Sequence, residues 1–212
     1  MSTGETTPSE LDRLVAVMAR LRVDCPWDAR QTHRSLVHYL IEETGEVVDA
    51  IETGDDTDLR EELGDLLLQV VFHAAIAAEQ QRFDIDDVAR GIGDKLVGRH
   101  PWVFADTGVP DDLNATWEAG KKAEKGRTSS LDGIPTALSA LARADKVMSR
   151  SASHGVPLDL PEEPITAEEV GAQALALVSR ARASGIDAEQ AVRDALRGLE
   201  DEVRRSETDS AS

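Results

Sequence analysis

The chain has 212 residues and a mass of 22.9 kDa, which is room for one compact domain plus a small second piece and too little for two full-sized ones. Its 23 Lys and Arg against 41 Asp and Glu leave a net charge of -18, which repels a polyphosphate backbone and excludes general DNA or RNA binding. Apolar residues make up 41% of it but aromatics only 3%, so the core is expected to be built from Ala, Leu, Val and Ile, with Ala and Leu favouring helix.

The first predicted element carries Leu11, Leu14, Val15, Met18 and Leu21 at the three- and four-residue spacing of an amphipathic helix, and Pro26 stops it. A second helix is expected from about Ser35 to Thr53, with Leu36, Leu40, Val47 and Ile51 inward and Gly54 as its C-terminal cap. A third begins at Asp58, where Asp58 and Glu61 make a capping-box pattern, and runs to near Arg82. Asp84 or Asp86 caps a fourth through Ile85, Val88, Ile92 and Leu96, ended by His100 and Pro101.

Residues 101–113 read as a loop, 114–125 as a short helix, and GRTSSLDGIP as a linker. Pro135 fits the first turn of another helix through Leu138, Leu141 and Val147 or Met148. Pro157, Pro161 and Pro164 then mark the expected domain boundary. The resulting division is 1–150, a Pro-rich linker 151–165, a pair of helices in 166–206 capped by Thr166 with Glu169 and by Asp187 with Gln190, and a disordered tail 207–212. No strand alternation occurs, so the fold class expected is all-α.

The segment EEVGAQALALV at 168–178 resembles a faded copy of EELGDLLLQVV at 61–71, with Ala172 where the first has Asp65; a chance match between two Ala- and Leu-rich helices is the other reading. Whatever chemistry the first copy performs with that acid, the second lacks the group to repeat it.

Cys25 is the single cysteine, which rules out an internal disulfide and points to a reducing compartment. The start MSTGETTPSE has no signal-peptide pattern. The most apolar stretch, Leu66 to Ala78, has 13 residues, short of the roughly 20 that cross a bilayer. A soluble cytoplasmic protein with no membrane partner is expected.

Glu42, Glu43 and Glu46 on the second helix and Glu62 and Asp65 on the third give two helices with acids three residues apart on one face. A solvated charged face is one reading. Against it, Tyr39, Glu43, Glu46 and Ala50 form a stripe bordering the apolar side, and Glu62 lies between Leu59 and Leu66. Acids turned inward are relieved by protonation or by cations. An all-oxygen donor set suits Mg2+, with Mn2+ as a substitute, better than zinc. A ferritin-type di-iron site needs Glu-x-x-His motifs, and neither acidic pair ends in His; His73 reads as a core or supporting residue. Magnesium on carboxylates recruits phosphate, and four of the five lysines, Lys95, Lys121, Lys122 and Lys125, fall between 95 and 125 with Arg99 and Arg127 near them. Ordinary surface pairing remains the other reading for Lys122 and Lys125.

The pattern Glu42, Glu43 and Glu46, then Glu62 and Asp65 after fifteen intervening residues, resembles the MazG family of all-α nucleoside triphosphate pyrophosphohydrolases. CPWD at 25–28, QTH at 31–33, EELGDLLLQVVFHA at 61–74, DKLVGRHPWVFAD at 94–106 and LDGIP at 131–135 carry the likeness over about residues 20–150. The resemblance implies a four-helix unit paired in a homodimer, here with a helical C-terminal extension. It also implies Mg2+-dependent hydrolysis of a nucleoside triphosphate to the monophosphate and pyrophosphate, in nucleotide-pool cleansing or nucleotide-signal control. Glu43, Glu46, Glu62 and Asp65 would be metal ligands and Glu42 would orient a ligand or the attacking water. Lys95, Arg99 and Lys121 would hold phosphates, and Trp117 matches the aromatic of the same element. Trp27 and Gln31 are candidates for contact with a base, and a core anchor locking the first helix to the second is the other reading for Trp27. A catalytically silent assembly or nucleotide-sensing module is the alternative.

Overall fold

The structure, a computed structural model, describes residues 9–105, 107–113, 116, 117, 120 and 128–210. All regular structure among them is helical, and none of their helices is long and apolar enough to cross a membrane. By packing the chain divides into two units, Met1–Thr107 and Gly108–Ser212.

In the first unit, α1 (Glu10–Asp24) starts at Ser9, whose hydroxyl accepts from the Asp12 amide while the Asp12 carboxylate accepts from the Ser9 amide. Its expected stripe is only partly buried: Met18 is enclosed, Leu14 and Val15 pack beside it, and Leu11 and Leu21 stand exposed. A short 3-10 turn at Asp28–Arg30 leads to α2 (Val37–Thr53), closed by Gly54 at φ 74, a left-handed conformation that costs glycine least.

The next helix, α3 (Asp56–Glu79), begins earlier than its sequence suggests. Asp55, not Asp58, is its cap and accepts from the Thr57 and Asp58 amides. Asp84 caps α4 (Ile85–Arg99) in a reciprocal box with Asp87, and a single turn, α5 (Pro101–Phe104), follows. Met18, Leu36, Val71, Phe72 and Ile76 form the core, with Tyr39, Leu68 and Ile85 packed against it.

Three helices of this unit also present apolar side chains outward. Val37, Ile41, Val48 and Ile51 on α2, Leu63, Leu67 and Val70 on α3, and Val88, Ile92 and Leu96 on α4 are all exposed. Ile51, expected inward, is among them.

The second unit contains α6 (Ala140–Ser153), α7 (Ala167–Ala183) and α8 (Ala188–Ser210). Its core is Leu131, Ile134, Val147, Val156, Leu196 and Val203. Three expectations are corrected here. The supposed linker contributes Leu131 and Ile134 to that core, because the Glu207 carboxylate accepts from the Ser130 amide at 2.7 Å and draws the loop onto α8. Helix α6 starts at Ala140, capped by Ser139, with Val147 inside and Met148 turned outward. Residues 207–210 continue α8 as helix instead of trailing as a disordered tail. Packing thus groups α6 with α8, whereas the sequence division placed most of it with the first unit. Of the expected short helix at 114–125 only Thr116, Trp117 and Gly120 are described; Lys121, Lys122, Lys125 and Arg127 lie outside the described residues.

Candidate active site

The two-residue turn between α2 and α3 folds them into a hairpin and sets Glu43 against Asp65. Carboxylate oxygens of Glu43, Glu62 and Asp65 lie within 4.8 Å of one another, all three half-buried. Glu46 is more exposed but acts on both Glu43 and Glu62. Glu42 is exposed at the cluster's edge.

The electrostatics follow from the geometry. Desolvation first, then the facing Asp65 and Glu46, pushes the Glu43 carboxyl above its ordinary value. Desolvation and then Glu46 and Asp65 do the same to Glu62. Among the described residues no lysine, arginine or histidine forms an ion pair with any of these acids. One turn past Asp65, Gln69 is 4% exposed and its amide oxygen has no partner among the described residues. A buried acceptor without a donor is costly. Three converging carboxylates, with Glu46 near them and no ion-pairing cation among the described residues, fit a hard divalent cation. Sequence reading passed over Gln69; its signal was a lone amide four residues after Asp65 in an otherwise apolar run.

The loop before α2 is held by a residue that sequence reading also missed. Arg22, with its side chain 6% exposed, donates to both carboxylate oxygens of Glu79 at 2.6 Å, and to the carbonyls of Asp28 and of Gln31, the latter at 3.1 Å. Its guanidinium also lies over the Phe72 ring, 5.7 Å from the centroid. The signal was an arginine four residues after Met18, on the stripe that buries.

His33 is tied down as well. Arg82 donates to its Nε2, so the ring hydrogen lies on Nδ1, which donates to His73 Nδ1 at 2.8 Å. His73 is therefore a supporting residue, with its pKa lowered by burial and then by His33.

On this loop Trp27 is 44% exposed and meets Tyr39 and Phe72 edge-on, with centroids 5.9 and 6.4 Å away. Tyr39 is one helical turn before Glu43. Gln31 donates from its amide nitrogen to the Trp27 carbonyl and accepts from the Ser35 hydroxyl, so both ends of its amide are engaged within the loop. Lys95, exposed, and Arg99, half-buried, are one turn apart on α4. Trp117 is half-buried in the second unit, and Lys121 is outside the described residues.

An all-helical unit that brings three carboxylates from two hairpin-linked helices within 4.8 Å of one another defines a class of acidic-cluster helical proteins. Residues 31–104 match the model of the MazG nucleotide pyrophosphohydrolase domain. The chain is 47% identical over 199 residues to an uncharacterized 26.1 kDa protein of Streptomyces cacaoi, covering 92% of this chain and 81% of that one. It is 37% identical over 218 residues to the nucleoside triphosphate pyrophosphohydrolase/pyrophosphatase MazG of Thermotoga maritima, covering 92% and 85%. To the nucleoside triphosphate pyrophosphohydrolase of Mycobacterium tuberculosis it is 44% identical over 196 residues, and it spans 57% of that protein's length. The chain belongs to the MazG family.

Proposed function

We propose that this chain hydrolyses nucleoside triphosphates between the α and β phosphates, releasing the monophosphate and pyrophosphate, with Mg2+ as cofactor and Mn2+ as substitute. The observation that carries this is the convergence of Glu43, Glu62 and Asp65 within 4.8 Å, without a pairing cation among the described residues. A divalent cation held there supplies Lewis-acid activation of water and charge compensation for the leaving group.

Glu43, Glu46, Glu62 and Asp65 hold the metal, Gln69 steadies the ligand set from one turn away, and Glu42 orients the attacking water. Lys95 and Arg99, a turn apart, hold the β and γ phosphates as charge grows on the leaving oxygens; Lys121 is a phosphate candidate from its sequence pattern alone. Trp27 offers an indole for the base, and Trp117 is a second aromatic candidate; Gln31 serves its own loop. The exposed apolar stripes of α2, α3 and α4 support pairing of the first unit with a second copy. The cellular role proposed is nucleotide-pool cleansing or control of nucleotide signals.

Hydrolysis of a nucleoside triphosphate panel in 18O-labelled water tests the reading. Label is expected in the monophosphate with unlabelled pyrophosphate. Label in orthophosphate overturns the bond assignment, and absence of turnover at saturating Mg2+ favours a silent nucleotide-sensing module.

A further inference from the structure

The segment from Pro26 to Ser35 carries the indole offered to a base, yet none of its residues is buried. Core packing therefore does not set its course, and polar bonds from neighbouring elements must. Its far end is tied through His33 to Arg82 and to His73. The end bearing Trp27 depends on Arg22, in the last turn of α1.

Arg22 uses its donors in two directions. Nε and one terminal nitrogen meet the two Glu79 oxygens side-on, at 2.6 Å each, which anchors the fork to the last residue of α3. The other terminal nitrogen donates into the loop, to the carbonyls of Asp28 and Gln31. Those carbonyls belong to the first residue of the 3-10 turn and to the residue just past its last, so one nitrogen fixes both ends of the turn that follows Trp27. Phe72 links the fork to the indole: the guanidinium lies 5.7 Å from its centroid, and Trp27 meets the same ring edge-on at 6.4 Å. Trp27 also meets Tyr39 at 5.9 Å, one helical turn before Glu43. Neutralising the Arg22 charge takes only Glu79, and the two further bonds act on the loop alone. A lysine has the charge but not the fork, because an ammonium is a point donor that cannot meet a carboxylate side-on and two carbonyls at once.

We infer that Arg22 is a positioning residue for nucleotide binding: its fork presets the loop so that the Trp27 indole is held ready as a face for the base. It acts on affinity and leaves the hydrolytic step to the acids and the metal. This rests on the reaction proposed above, in which Trp27 offers that indole. Presetting lowers the ordering cost of binding, and a contact made equally in ground and transition states moves KM and not kcat.

In a Trp102→Phe/Trp117→Phe chain Trp27 is the only tryptophan, so its emission reports on this loop. Titration, with Mg2+ present, with a nucleoside triphosphate analogue bridged by nitrogen between the α and β phosphates is expected to quench that emission to saturation. Arg22→Lys in this chain is expected to red-shift the emission before any ligand is added and to weaken the titrated affinity by about 10-fold. KM is expected to rise by the same factor, with kcat held within about two-fold. Arg22→Lys combined with Trp27→Ala is expected to raise KM no further than Trp27→Ala alone, because one acts through the other. A residue that only braced the fold would lower the melting temperature, and its effect on KM would add to that of Trp27→Ala. Should Arg22→Lys fail to fold, Glu79→Gln, at a side chain 46% exposed, loosens the same fork from the surface and is expected to move the same readouts in the same direction. Additive effects, an unshifted Trp27 emission, or a fall in kcat at constant KM overturns the inference. Turnover with a Trp27 that ignores the analogue overturns it while the reaction stands. A responsive Trp27 in a chain that releases no pyrophosphate overturns the reaction and leaves the inference standing, and silence of both overturns both.

Discussion

Two stretches of nearly the same sequence, EELGD at 61–65 and EEVGA at 168–172, put a glutamate at corresponding positions and give it opposite fates. Glu62 sits two turns into α3, where the α2 hairpin brings other acids against it, and its carboxyl is pushed up. Glu169 is the third residue of α7, where its carboxylate accepts from the amide and hydroxyl of Thr166, and it is held below its ordinary value. One glutamate is costly to ionise and the other is stabilised by ionising. Position along the helix and the presence of a facing helix make the difference, and the side chain does not.

The largest break in this contrast comes from neutralising the cluster. Glu43→Gln, Glu46→Gln, Glu62→Gln and Asp65→Asn are each expected to lower Mg2+-dependent pyrophosphate release by on the order of 100-fold or more. Glu169→Gln is expected to leave turnover unchanged and to lower the melting temperature through the lost cap. Steady-state kinetics with thermal melts separates the two, and full activity in any two of the cluster variants refutes the metal assignment. Restoring the missing acid sharpens the comparison: Ala172→Asp is expected neither to add a Mg2+ site by calorimetry nor to rescue Glu62→Gln, because Glu169 is committed to its cap.

A smaller effect is expected at Gln69. Gln69→Leu removes the unpartnered amide oxygen and leaves a buried apolar side chain of similar size. Turnover should fall by about 10-fold while the metal-free melting temperature holds or rises; unchanged turnover would make Gln69 a packing residue only.

Stability against pH should distinguish the two glutamates last and most finely. Glu43 and Glu62 have folded-state values above 4.5, so what they contribute is present below that pH and is lost as pH rises through their raised values. Glu169 has a folded-state value below 4.5, so its contribution is present above that pH and is lost as pH falls through the lowered value. Metal-free melts from acid to neutral pH should lose the first trend in Glu43→Gln/Glu62→Gln and the second in Glu169→Gln. Added Mg2+ should cancel only the first.

Much of the helical layout was legible because helix caps are local. Gly54, Asp84, the Thr166 and Glu169 box, and the Asp187 carboxylate accepting from the Gln190 amide all act within a few residues and stand where the sequence puts them. The acidic spacing on α2 and α3 was legible for the same reason. Asp58 was misread as a cap because Asp55 sits one turn earlier with the same chemistry. The loop at 128–135 was misread as a linker because its anchor, Glu207, lies 77 residues away in sequence.

Sequence by itself determined the helical class, the family, and the acids, since period, cap chemistry and motif spacing are properties of neighbours along the chain. Tertiary structure alone decided which glutamates bear charge at a cost, since that depends on what faces them across the α2–α3 hairpin. It also decided that Arg22, His33 and His73 hold the loop bearing Trp27, because those bonds join residues as far apart as 57 positions. Such pairings follow from how helices pack, and a linear pattern carries no trace of which remote partner a buried charge will find.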